Sequence, residues 1–280
     1  YAYLQQACVD AGVEALGYIP KDESIVIPSR HLGLSIDETF CFDAFADRVA
    51  EVIDKTVNVD RLLELCTVEF SGEQTEGVIC SGNKKIAIAR DEAFNFMYRE
   101  NVEALKRAGE VVFFSPLHDK RLPDADLVYF PGGYPELYLP ELAANEGMRQ
   151  AVRKYCETGG RVLAECGGMM YLCDTITSDD GKVYPMAGVL KQGATMEQMK
   201  LKLGYREVRV NGQRIRGHEF HYSRILPGHE KIPVIGTIYN AKDMVVDTPV
   251  YTYKNVLASY IHFYWGECGI DHFLMLMSQK

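Results

Sequence analysis

The sequence predicts an α/β protein: a parallel sheet covered by helices, extended by antiparallel strands. Three observations predict it. Between residues 85 and 165, four short apolar runs, "KIAIAR", "EVVFFSP", "DLVYFPGG" and "RVLAE", alternate with segments of helical periodicity. Strands buried on both faces read as continuous apolar runs, and their alternation with helices makes βαβ units. Beyond about residue 181 the pattern turns to strands alone. A glycine-rich corner, "ECGG", directly follows the fourth apolar run.

The elements follow in order. Residues 1–70 read as a helix ("YLQQACVDAG"), a strand over Val13–Ile19, a turn at Pro20–Asp22, and two helical patterns, "SIDETFCFDAFADRVAEVIDKTV" and "NVDRLLELCTVEF". Residues 71–84, rich in Gly, Ser and polar side chains, read as a linker. After the first core strand, "AFNFMYRENVEALKRAG" is an amphipathic helix stopped by Gly109. After the third, one long helical stretch runs through "ELAANEGMRQAVRKYCETGG". The strands "VYPMAGVL", "YREVRV", "RIRGHEFHYSRI", "VIGTIY" and "NVLASYIHFYW" form the extension, closed by a helix, "DHFLMLMSQK". The expected domains are therefore 1–70 and 85–280, joined by the linker.

Composition narrows the function. The chain has 280 residues, 47% apolar and 25% charged, with a formal charge of −9. No Lys/Arg-rich run tracks a phosphate backbone, so nucleic acid is not the expected partner. No apolar run reaches the ~18 residues of a membrane span, and residues 1–18 lack a secretory signal pattern. Eight cysteines, at 8, 41, 66, 80, 156, 166, 173 and 268, form no C-x-x-C pair. That usage suits a reducing cytoplasm. Residue 1 is Tyr, and the chain is expected to be a fragment whose front part is missing.

The candidate chemistry centres on Cys166. Ala164-Glu165-Cys166-Gly167-Gly168 has the small-x-nucleophile-x-Gly form of a nucleophile elbow, where small neighbours let strand and helix pack closely. The following helix aims its N–H groups and dipole at the sulfur, which is expected to favour thiolate. The Gly167 N–H is placed for a developing oxyanion, a contribution of about 3 kcal/mol per donor. A second donor is expected from "PGGY", in which Gly132, Gly133 and Tyr134 are candidates. With "RDEAF" and "CGG", that loop falls beyond the C-terminal strand ends, where open α/β sheets bind ligands.

A nucleophilic thiol needs a base. Of the seven histidines, His262 lies near the end of the last strand, and position 264, two residues on, is Tyr rather than an acid. His218 and His221 in "GHEFHYS" are one residue short of H-E-x-x-H, and in a strand they face opposite sides, so no metal site is expected. Gly72 and Gly77 have Walker-type spacing, but Val78 and Ile79 stand where Lys and Ser/Thr belong, so no P-loop is present.

Several of these segments are similar, in order, to the glutamine amidotransferase half of the cobyrinic acid a,c-diamide synthase family. They are "KIAIARDEAFNFMYRENVEAL", "FFSPLHD", "LVYFPGGYPELYLPELAANEGM", "AECGGMMYL", "GYREV", "RGHEFHYSR" and "NVLASYIHFYW", spanning about residues 85–270. Upstream, "LGYIPKDESIVIPSRHLGL" resembles the tail of that family's ATP-binding half.

The resemblance implies a class I glutamine amidotransferase (flavodoxin-like) domain with an antiparallel extension. It would be preceded by the C-terminal remnant of a P-loop, dethiobiotin-synthetase-like domain. Glutamine would be hydrolysed through a Cys166 thioester, with His262 raising the nucleophilicity of the thiol. Gly133 and Gly167 would form the oxyanion hole, while Tyr134 and His218 face the substrate. The ammonia would amidate the a- and c-carboxylates of a corrinoid acceptor, cobyrinic acid, using ATP and Mg²⁺ in the full-length enzyme. This chain alone is not expected to bind ATP competently. Residues 1–70 would then carry an exposed apolar face, so a homodimer is kept open. Three alternatives remain: an amidotransferase for another tetrapyrrole (nickel-sirohydrochlorin or a later corrinoid), a Cys-His hydrolase on the same scaffold, and a non-catalytic module.

Overall fold

The computed structural model describes residues 1–27, 29–30, 33–34, 40–69, 82–229, 231–266 and 270. The chain divides into two compact units, Tyr1–Glu76 and Gly77–Lys280. The first holds helices α1 (Ala2–Asp10), α2 (Phe42–Thr56) and α3 (Val59–Cys66), and a two-stranded ribbon of β1 (Ser29–Arg30) and β2 (Gly33–Leu34). No residue of the three helices is buried. The expected strand at Val13–Ile19 does not form: its one sheet-like contact is the bridge Gly17–Val57. Two bonds make that bridge, Asn58 N donating to Leu16 O at 2.7 Å and Tyr18 N to Thr56 O at 3.2 Å, and among the described residues the pairing goes no further.

The second unit is built on a six-stranded sheet in the order β14-β15-β6-β5-β3-β4. Its strands are β3 (Lys84–Ala89), β4 (Gly109–Phe114), β5 (Leu127–Phe130), β6 (Arg161–Glu165), β14 (Val250–Tyr253) and β15 (Val256–Ser259). All the pairings are parallel except β14–β15. The four apolar runs are the core strands, and every residue of β5 is buried. One face packs Ile86, Ile88, Leu127, Tyr129, Leu163 and Leu257 into a continuous core with Leu105 of helix α4 (Arg99–Ala108) and with Trp265. The other face buries Phe130 against Phe94 and Tyr171.

The extension differs from expectation in two ways. It begins earlier, at β7 (Cys173–Thr177), and it forms two sheets. One, of order β12-β9-β7-β8, uses β8 (Val183–Pro185), β9 (Leu190–Thr195) and β12 (Arg224–Leu226), with β7 and β9 parallel. The other, of order β13-β10-β11-β16, is antiparallel and uses β10 (Lys202–Val210), β11 (Gln213–His221), β13 (Thr237–Asn240) and β16 (Ile261–Phe263). The expected single strand "NVLASYIHFYW" is thereby split at Tyr260, with Val256–Ser259 in the parallel sheet and Ile261–Phe263 in the antiparallel one.

Two helices are also shorter than their periodicity suggests. The Asp91 carboxylate accepts from the amides of Ala93, Phe94 and Leu117, which holds residues 91–98 as a loop and delays α4 to Arg99. Asn145 divides the long stretch into α5 (Leu139–Ala144) and α6 (Glu146–Glu157), because its buried side chain donates to the Pro116 and Asp119 carbonyls. Most of the expected linker and the closing helix "DHFLMLMSQK" lie outside the described residues.

Asn101 of α4 ties this framework to the strand carrying His262. Its Nδ2 donates to the Phe263 carbonyl at 2.7 Å, and its Oδ1 accepts from the Trp265 amide at 2.9 Å, all buried. Asn101→Ala removes both of these buried bonds. Urea denaturation should register a loss of about 2–3 kcal/mol. A midpoint unchanged from the parent would show that the clamp contributes nothing.

Candidate active site

The site grows from the end of β6. Register pairs Ser259 with Glu165, and the ladder closes with Cys166 N–H donating to the Ser259 carbonyl at 2.7 Å. Cys166 then turns at φ +46°, ψ −109°, a conformation that L side chains rarely adopt, and caps helix α7 (Gly167–Leu172). Gly168 is required for that turn: a Cβ there would stand 2.3 Å from the Phe130 carbonyl oxygen. The strained corner expected of a nucleophile elbow is present.

The loop after β5 meets this corner. Gly168 N donates to Pro131 O at 3.1 Å, and Tyr134 N to Ala93 O at 2.9 Å. A Cβ on Gly133 would sit 2.1 Å from Ala93 O, and one on Gly167 would sit 2.9 Å from Gly133 O. The loops "RDEAF", "PGGYPELY" and "CGG" therefore converge as expected. Among the described residues, no backbone carbonyl accepts from the Gly133 or Gly167 amide, whereas those of Tyr134 and Gly168 are occupied. That distinction leaves the Gly133 amide, rather than that of Tyr134, without a backbone acceptor among the described residues. Tyr134 itself is half-buried at the head of the short turn Pro135–Leu137.

His262 borders the same loop. Its ring is packed so closely that a Cβ on Gly132 would lie 2.2 Å from His262 Cε1. Phe96 meets it edge-on at 4.6 Å, and His218 stacks on it at 4.8 Å, as the two histidines are cross-strand partners on β11 and β16. The His218 Nδ1 shares a hydrogen bond of 2.6 Å with the Tyr98 hydroxyl. His221 faces away from this pair, as strand geometry requires, and lies between Glu219 and the Ser223 carbonyl with its ring stacked on Tyr260.

The electrostatics correct one expectation. Burial pushes the Cys166 thiol well above its ordinary value, and Glu136 adds to the rise, while the Gly167 N–H pulls it down. A helix dipole contributes at most about 1–2 kcal/mol, or roughly one pKa unit, whereas burial shifts a pKa by up to about 3–5 units. Burial wins, and the resting sulfur is a thiol rather than a thiolate. Burial likewise lowers His262 to about 3, with the neighbouring His218 and His221 adding to the drop. Burial thus disfavours charge on both the thiol and the imidazole.

Glu165 was missed as part of this site. It is 1% exposed, its Oε2 accepts from the Tyr129 hydroxyl at 2.8 Å, and its Oε1 accepts from Phe263 N at 3.2 Å. A charged residue ending an otherwise apolar, two-face-buried strand was the available signal. Phe96 and Tyr98 were also missed, because their segment reads as helix.

Burial of the Cys166 thiol has a direct check. Iodoacetamide at pH 8 should alkylate the exposed Cys41 and Cys66 first and leave Cys166 unmodified alongside the buried Cys156 and Cys173. Peptide mass mapping that found Cys166 alkylated as fast as Cys41 would mean an open thiolate.

Comparison with known proteins agrees with this geometry. Residues 85–268 match the CobB/CobQ-like glutamine amidotransferase domain. The chain is 34% identical to a cobyrinate a,c-diamide synthase of Salmonella typhimurium, covering 90% of this chain and 58% of that protein. It is 36% identical to one of Caldanaerobacter subterraneus subsp. tengcongensis, covering 95% and 61%. It is also 36% identical to a hydrogenobyrinate a,c-diamide synthase of Pseudomonas aeruginosa, covering 92% and 58%. The chain thus spans about three fifths of the length of these relatives. Because the domain match runs over more than half of its residues, the chain belongs to the family of CobB/CobQ-like glutamine amidotransferases.

Proposed function

We propose that this chain hydrolyses glutamine through a Cys166 thioester and supplies the ammonia for ATP-dependent amidation of the a- and c-carboxylates of cobyrinic acid. One observation carries the glutaminase part: a cysteine at φ +46° on a strand-to-helix corner with the Gly167 N–H turned to its sulfur, met by the glycine loop against which the buried His262 packs. The acceptor is supported by the names of the relatives. ATP and Mg²⁺ activate the acceptor carboxylate in the whole protein, and no residue of this chain is assigned to that step. Residues 1–70 are read as the remnant of that ATP-binding domain. The exposed Tyr3, Leu4, Leu63 and Val68 there support a homodimer as the assembly. No helix among the described residues is long and apolar enough to cross a membrane. The work of the chain is assigned to the cytoplasm on its cysteine usage.

The steps follow from the protonation states. The Cys166 sulfur attacks the γ-carbonyl carbon of glutamine as His262 takes the thiol proton. The new oxyanion meets the Gly133 and Gly167 amides. The C–N bond breaks, the imidazolium returns its proton to the nitrogen, and ammonia leaves behind a γ-glutamyl thioester. Water, losing a proton to His262, then attacks the thioester. The C–S bond breaks, the sulfur is reprotonated, and glutamate departs. Tyr134 and His218 are assigned to the walls of the glutamine site.

The glutamine mimic 6-diazo-5-oxo-norleucine tests this reading without requiring turnover. Mass spectrometry should find one adduct, on Cys166, suppressed by glutamine and slowed by about 100-fold or more in His262→Ala. Label scattered over Cys8, Cys41 and Cys66, or insensitive to glutamine, would contradict it.

A further inference from the structure

His262 has a buried nitrogen without a partner. Among the described residues Nδ1 is inaccessible to solvent and makes no hydrogen bond, a condition that costs about 1–3 kcal/mol if nothing compensates. The polar group facing it is the Glu165 carboxyl, whose Oε2 lies 4.0 Å away. That carboxyl is held from two sides, by the Tyr129 hydroxyl on β5 and by the Phe263 amide on β16, so it cannot turn from the ring. Trp265 packs over Tyr129 at 5.1 Å and closes the far side. The partners fixed on Glu165 are hydrogen-bond donors, and His262 Nδ1–H would be a third.

We propose that Glu165, the residue immediately before the nucleophile, positions His262 by accepting from its Nδ1–H, leaving Nε2 free to take the thiol proton. Glu165 is a positioning residue: it acts through His262 and touches no reacting atom. The inference rests on the Cys166–His262 reading above and adds the group that fixes the histidine's tautomer. An acid two residues beyond the histidine is the common arrangement, and here Tyr264 occupies that place. The strand register supplies the carboxyl from β6 instead, because Ser259 pairs with Glu165 and the chain breaks at Tyr260 before reaching His262.

The chemistry is consistent with this assignment. When His262 takes the thiol proton it becomes an imidazolium in a buried site, and a carboxylate against Nδ1 is the group that stabilises that charge. Burial raises Glu165 to about 8, against the pull of Tyr129 and the Phe263 amide. The carboxylate fraction therefore grows as pH rises through that value, and the reactivity of the pair grows with it. The titratable groups whose charge bears on Glu165 or His262 are Tyr129, Tyr98, Cys166, His218 and, from the far side of its strand, His221.

Two measurements on the same chain test the proposal. In ¹⁵N-histidine spectra, with His262 assigned by its loss in His262→Gln, the parent should show the proton on Nδ1 at pH 9, above the value of about 8 through which Glu165 becomes a carboxylate. Glu165→Ala should move it toward Nε2. Glu165→Gln keeps an acceptor of the same shape, so it should keep the tautomer. It should nevertheless slow Cys166 labelling by the diazo analogue by about 10-fold or more and remove the limb near pH 8, with the half-saturating concentration unchanged. A parent His262 protonated on Nε2, a tautomer indifferent to Glu165→Ala, or a Glu165→Gln profile identical to the parent would overturn the proposal. Absence of Cys166 labelling in the parent would instead count against the glutaminase reading, and the tautomer measurement stands apart from it.

Discussion

The site depends on one parallel ladder, β6 against β15, and on the hydrogen bond that ends it. Cys166 N–H donates to the Ser259 carbonyl at 2.7 Å, so the two chains are in register at the point where each must change direction. One reverses through the positive φ of Cys166 into α7; the other breaks at Tyr260 and enters a different sheet as β16. Cys166 and His262 thus come from separate strands but share one fixed junction. Shifting the register by one residue would turn Glu165 and Cys166 to the wrong faces together.

Burial then governs the chemistry of that junction. It keeps the sulfur as a thiol, keeps His262 neutral, and pushes the Glu165 carboxyl toward its protonated form. Each effect disfavours charge in the resting state, and each is relieved once a substrate oxyanion and an imidazolium form together within reach of fixed donors. The positive φ of Cys166 is a strained conformation of the kind that clusters at functional sites.

Much of this was legible in the sequence. The core strands announced themselves because residues buried on both faces leave no room for polar alternation, as in "KIAIA" and "LVYF". The elbow was legible because small neighbours at Ala164 and Gly168 are a steric requirement. The split of "NVLASYIHFYW" was not legible, since both halves are apolar and nothing local marks Tyr260. The loop 91–98 was hidden because its helical periodicity is overridden by one side chain, Asp91, bonding to distant and local amides. Asn145 likewise cuts a helix for reasons that lie in the Pro116–Asp119 loop. The pairing of Glu165 with His262 depends on strand register between remote segments, which no local pattern encodes.

The proposed chemistry turns on where the reacting carbonyl oxygen goes. A crystal structure of the chain soaked with glutamine and frozen before turnover is complete would capture the γ-glutamyl thioester. It should sit on Cys166, with its carbonyl oxygen within hydrogen-bond distance of the Gly133 and Gly167 amides and the His262 ring still against Gly132. A thioester on another cysteine, or one on Cys166 whose oxygen meets neither glycine amide, would contradict the account.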